Sequence, residues 1–136
     1  MSVTASIKLK NSRKKTPESF TYIWARKSLD STAKKLKVQP PTSFEFEDPD
    51  YIRETVGSDY VTAKWVKRWD AQKEWHKASL GLKTFRSLLD HYKARRDLIP
   101  SEVGDATAFL QDLEGFCSLL ASAVKGRDSF RIEALL

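Results

Sequence analysis

The chain has 136 residues, of which 40% are hydrophobic and 31% charged, with a net charge of +6. That is enough for one domain with a real core, and the apolar content argues against global disorder. No apolar run approaches the roughly 20 residues that cross a bilayer, and the single cysteine, Cys117, excludes a disulfide framework.

The charge is laid out in blocks. Residues 1–38, 39–60, 61–98 and 99–136 carry net charges of +8, −5, +6 and −3. Such a chain suits a polyanionic partner and contacts between its own copies, and it also allows the blocks to neutralise one another within a monomer.

In chain order, residues 1–15 read as a flexible basic arm. Lys8, Lys10, Arg13, Lys14 and Lys15 repel one another, and few apolar residues anchor them. Met1 to Leu9 holds no long apolar stretch of the secretory type. Thr16-Pro17 predicts the start of a first helix, since threonine caps and proline suits the first helical position. Phe20, Ile23 and Trp24 form its apolar face, continued by Leu29, Ala33 and Leu36, and Gln39-Pro40-Pro41 stops it. Ser43 to Glu47 alternates like a short strand. Asp48-Pro49 starts a short helix that Gly57 closes.

Ser58 caps a helix over 59–79, with Val61, Trp65 and Trp69 on its stripe and Gln72 and His76 as weaker members. Leu80-Gly81 marks a bend or a break. Leu82, Phe85, Leu89, Tyr92, Arg96 and Ile99 then follow helical spacing up to Pro100. Val103, Ala106, Leu110, Leu113, Cys117, Leu120 and Val124 repeat it, with Gly126 as the closing residue. The short connection at Pro100 implies an antiparallel helix pair. The predicted fold is all-α: a bundle of four to five helices over residues 16–136, preceded by the flexible arm at 1–15.

Several chemistries lack their residues. His76, His91 and Cys117 have no ligand spacing for a metal. Cys117 lies on an apolar stripe, where a structural thiol is the expectation. The five glycines form no phosphate-cradling loop. Glu45, Glu47, Asp48 and Asp50 lack the calcium-loop pattern and read as an exposed acidic patch. The chain is therefore expected to be non-enzymatic, with no cofactor and no small-molecule substrate.

The densest signal is Lys64 to Lys77, where three of the four tryptophans fall within eleven residues among cations. Trp65 and Trp69 are expected in the core. Trp75 lies on a polar row and is expected to be partly exposed, open to base stacking or a subunit contact. Lys64, Lys67 and Arg68 are the expected phosphate contacts on this helix. Lys93, Arg95 and Arg96 form a second basic cluster, which also complements a helix dipole.

The segment Val103-Gly104-Asp105-Ala106-Thr107, an apolar helix, and Arg127-Asp128-Ser129-Phe130 resembles the C-terminal part of the coat proteins of rod-shaped helical plant RNA viruses. The resemblance implies that Asp105 lies close to packaged RNA and that Arg127 and Phe130 are structural. It covers about 30 residues, and Arg131 stands where that family usually has a glutamate.

Together these features describe a structural protein that binds single-stranded RNA or other nucleic acid, self-associates as a coat or nucleocapsid subunit does, and contacts no membrane. It is expected in the cytoplasm, or in a virion if it is a coat subunit. The alternative is a helical adaptor or small subunit of a larger, ribonucleoprotein-like complex, with the tryptophans as its contact points.

Overall fold

A computed structural model of the chain describes residues 4–46 and 75–135. The expected helices over 48–56 and 59–74, with Trp65 and Trp69, lie outside the described residues. Within them the all-α expectation is overturned: three α-helices pack against a four-stranded mixed sheet. The strands are β1 (Thr4–Leu9), β2 (Glu45–Phe46), β3 (His76–Lys77) and β4 (Ser129–Leu135). The helices are α1 (Thr21–Lys35), α2 (Ala78–Ala94) and α3 (Ala106–Lys125).

The arm is the first correction. Residues 4–9 form a strand paired antiparallel with β4 in the register Ala5↔Ala134, Ile7↔Ile132 and Leu9↔Phe130. All six of these residues are buried, while Lys8, Arg131 and Glu133 face outward, and Lys8 pairs with Glu133 at 3.4 Å. The period of two in Ala-Ser-Ile-Lys-Leu and Phe-Arg-Ile-Glu-Ala places one row of each strand in the core. The other edge of β1 is covered as well. Ala5 and Ser19 exchange backbone hydrogen bonds at 3.0 and 2.7 Å, and Thr16 N–H donates to the Ile7 carbonyl at 2.9 Å. Thr16 Oγ1 accepts from Ile7 N–H at 2.9 Å, so Thr16 fastens this edge and caps no helix.

On its far side β4 pairs with β2, parallel, and with β3, antiparallel. Residues 75–77, expected in a helix, are extended: His76 lies opposite Phe130 and Lys77 opposite Ser129. The short strand read at 43–47 is partly a 3₁₀ turn, Pro41–Phe44, followed by β2.

Helix α1 starts later than Thr16, and of its expected face Leu29 and Ala33 are buried and Ile23 and Leu36 partly so, while Phe20 and Trp24 point outward. Tyr22, Ala25, Leu29 and Ala33 are buried, whereas Phe20 and Trp24 are 53% and 62% exposed. Its N-terminus is positioned by Asp112 of α3, which accepts from the hydroxyls of Ser19 at 2.7 Å and Thr21 at 2.6 Å. At the other end Lys37 has φ 59°, and Val38 N–H donates to the Ala33 carbonyl at 3.0 Å. This is a left-handed helix stop filled by lysine in place of glycine. Lys37 is exposed, so Lys37→Gly removes backbone strain and no packing. After the entropic cost of glycine, a net gain of about 0.5 kcal/mol is expected in urea unfolding.

Helices α2 and α3 pack antiparallel, with Phe85 against Phe116 at 5.3 Å and Tyr92 against Phe109 at 5.5 Å between ring centroids. Gly81 lies inside α2 and makes no break, because the helix crosses the ring of Phe130 there. The helix ends at Ala94, short of the expected Ile99, so Arg96 leaves the apolar stripe and is exposed in a 3₁₀ turn.

Glu45 is the last correction. It was expected in an exposed acidic patch and is 4% exposed. Its carboxylate accepts from the Tyr22 hydroxyl at 2.6 Å and from Arg26 Nε at 3.0 Å, and Arg26 also closes an ion pair with its second oxygen. Glu47 and Asp48 lie outside the described residues.

Candidate nucleic-acid interface

The predicted contact residues separate into local roles. Lys64, Lys67 and Arg68 lie outside the described residues. Lys93 pairs with Glu114 at 2.7 Å, and Arg95 holds Asp97 through two hydrogen bonds at 3.0 and 2.8 Å. Arg96 donates to the Thr107 hydroxyl at 3.1 Å. Lys93 and Arg96 still line one groove of about 290 Å³, together with Gln111 and Glu114 of α3. Asp105 caps α3, accepting from the N–H groups of Thr107 at 2.9 Å and Ala108 at 3.2 Å. Trp75 is half-buried. The Arg131 guanidinium lies 4.2 Å from its ring centroid and 3.9 Å from that of Phe46, so one face of the indole already meets a cation.

A different basic surface is assembled at the α3–β4 turn. Asp128 begins this assembly by accepting from Asn11 N–H and Ser12 N–H, each at 3.0 Å, and Lys10 N–H donates to the Ser129 carbonyl at 2.9 Å. Leu9 N–H donates to the Lys14 carbonyl at 2.9 Å, closing residues 10–14 into a turn over Asp128. Burial raises the Asp128 carboxyl, and the N–H donors of Asn11, Ser129 and Ser12 outweigh it, holding the group below its ordinary 3.8. Lys10, Arg13, Lys14 and Lys15 of this tied segment are exposed, as are Lys125 and Arg127 at the end of α3. Lys77 and Arg127 line one depression of about 230 Å³ at the N-terminus of α2, together with Asp128, Ser79 and Ser129.

Two of the strained backbone positions, Arg13 and Arg127, belong to these segments, and the third, Lys37, does not. Among the described residues the non-glycine positions with positive φ are Arg13 at 57°, Lys37 at 59° and Arg127 at 51°. Each costs roughly 1–2 kcal/mol in that conformation. Arg127 closes α3 as Lys37 closes α1, with Asp128 N–H donating to the Ala123 carbonyl at 2.8 Å.

A third surface was missed because its aromatics were assigned to the core. Phe20, Trp24, Lys27, Ser31 and Lys34 recur at spacings of four and three along α1, and all are exposed. This face borders a groove of about 630 Å³ between α1 and the α2–α3 connection, lined by Lys27, Ser31, Lys35, His91, Ser101 and Glu102.

Nucleophilic chemistry has little support at Cys117. Burial pushes its thiol up to about 11, so the reactive thiolate is scarce at neutral pH. Among the described residues no three of His, Cys, Asp and Glu gather as a metal cluster, and no helix is long and apolar enough to cross a membrane. No family model, no curated protein and no solved structure matches the chain.

Proposed function

We propose that this chain is a non-enzymatic, single-stranded nucleic-acid-binding protein, with RNA as the first candidate, that grips the phosphate backbone with little sequence preference. The observation that carries the proposal is that Asp128 ties the exposed basic segment 10–15 to the end of α3 through Asn11 and Ser12, where Lys77 and Arg127 line one depression. Cations so close repel one another, and holding two arginines at positive φ costs further stability. A polyanion offsets the repulsion, since each phosphate contact releases a counterion. The burial of Glu45 removes that residue from any acidic contact between copies and leaves the phosphate-binding reading intact.

Fluorescence anisotropy with a labelled oligoribonucleotide tests the reading. Affinity is expected to fall steeply and linearly on a log–log plot as salt rises. Arg127→Gly is expected to reduce the slope by about 0.7, the loss of one single-strand contact. The same substitution relieves left-handed strain, so the protein should bind more weakly while unfolding at higher urea. Lys37→Gly is the control, gaining stability at unchanged affinity. No binding at low salt by the unmodified protein rules the reading out.

A further inference from the structure

We infer that the outer face of α1 is the track that carries the bases of the bound strand: Phe20 and Trp24 each stack one base, and Lys27, Lys34 and Lys35 meet the phosphates. The inference rests on the nucleic-acid reading above and assigns the part of it that touches bases.

The argument starts from exposure. This fold buries Tyr22, Phe44, Phe85, Phe109, Phe116 and Phe130 almost completely, yet leaves Phe20 and Trp24 more than half exposed. A single exposed apolar residue needs no explanation. A pair one helical turn apart, continued on the same face by Lys27, Ser31 and Lys34, forms a pattern. Aromatic rings among cations provide the two elements of single-strand binding, a stacking surface and a charged path.

Composition separates nucleic acid from protein as the occupant. The centres of protein–protein interfaces are depleted in lysine. Here Lys27 lies one turn beyond Trp24, Lys34 and Lys35 follow further along the helix, and Asp30 of the same helix accepts from Thr42 N–H at 3.2 Å.

Spacing agrees with this occupant. Residues four apart on a helix are separated by about 6 Å along its axis. That exceeds the 3.4 Å rise per nucleotide of a stacked strand. Each ring therefore serves its own base, and the strand lies extended. The 630 Å³ groove continues the track, with Lys27 and Lys35 on one wall and His91 and Ser101 on the other. Glu102 on that second wall suits a base N–H or a ribose hydroxyl and repels a phosphate.

The test compares the unmodified protein with the double variant Phe20→Ala, Trp24→Ala. The probes are a labelled oligouridylate and an abasic oligonucleotide of equal length. The double variant should lose about tenfold or more on the oligouridylate, with no change on the abasic probe and an unchanged salt slope, because no cation is removed. Both rings are exposed, so circular dichroism and melting temperature should match the unmodified protein. Trp24→Tyr with Phe20→Tyr should restore most of the affinity. Equal binding of the oligouridylate by the double variant overturns the track, and if Arg127→Gly still flattens the slope the phosphate reading survives. A double variant that binds RNA normally but loses a dimer formed by the unmodified protein makes this face a protein contact and also overturns the inference. Failure of the unmodified protein to bind either probe ends both readings.

Discussion

Arg26→Met is expected to destabilise the protein by about 3 kcal/mol or more at pH 7, because it leaves a buried carboxylate without its cation. Glu45 is 4% exposed and is held by the Tyr22 hydroxyl and by Arg26. Burial lifts its carboxyl above the ordinary 4.5, while Arg26 and Tyr22 pull it back part of the way. The sign of the pH dependence follows. A carboxyl whose folded value is raised binds a proton on folding, so its contribution is complete below about 4.5 and is lost as pH climbs through the raised value. Removing Arg26 raises that value further. The gap between variant and unmodified protein, read by urea unfolding, should therefore be widest at pH 7 and shrink toward pH 4.5. The double variant Arg26→Met, Glu45→Met should recover most of the loss, since no charge stays buried. A gap independent of pH would show that Arg26 acts through packing alone.

Gly81→Ala is expected to cost about 3 kcal/mol, the upper range for overpacking. A Cβ at this position would fall 2.6 Å from Phe130 Cε1 and closer still to Cζ. The Phe130 ring is enclosed by other side chains. It is fully buried, with Phe44 at 5.0 Å and His76 at 6.1 Å between ring centroids. In an open helix the same change would stabilise, as alanine exceeds glycine in helix propensity by about 1 kcal/mol. The sign of the effect thus reports whether α2 crosses β4 at this point. Combining Gly81→Ala with Phe130→Leu should restore part of the loss, and the coupling in a double-mutant cycle measures the contact. A melting temperature that rises in the single variant would contradict the packing of α2 on β4.

The two substitutions concern the joints between sheet and helices, whereas the binding surfaces depend on side chains outside the core. Arg127 joins the two concerns. Its left-handed backbone ends α3, sets the turn into β4, and exposes the guanidinium beside Lys125 and the clamped turn at 10–14. Stability and binding are expected to move in opposite directions there, the usual result when a strained position serves a site.

Much of the helical structure was legible from local pattern. Leu82 to Tyr92 and Ala106 to Val124 keep helical spacing over many turns, so α2 and α3 follow from local pattern, although the stripe reads from Val103 and the cap at Asp105 came from the structure. The burial of Cys117 was readable for the same reason. The strands required the tertiary structure. β1 and β4 are short alternating segments at opposite ends of the chain, and neither pays its ordering entropy until it pairs with the other. In β1 the alternation was hidden by lysines that read as a solvated arm.

Which face of α1 turns inward was also undecided locally. Phe20 and Trp24 fit the start of a stripe through Leu29 and Ala33 as well as Tyr22 and Ala25 do. The choice falls to contacts from distant segments: Asp112 holding Ser19 and Thr21, and Glu45 holding Tyr22 and Arg26. Those contacts leave Phe20 and Trp24 outside, and Asp128 collects the basic turn beside Arg127. Composition alone determined that this chain is basic, aromatic and rich in helix. Only long-range packing decided where its cations converge and which aromatic rings remain available to a partner, because both are set by contacts between residues far apart in sequence.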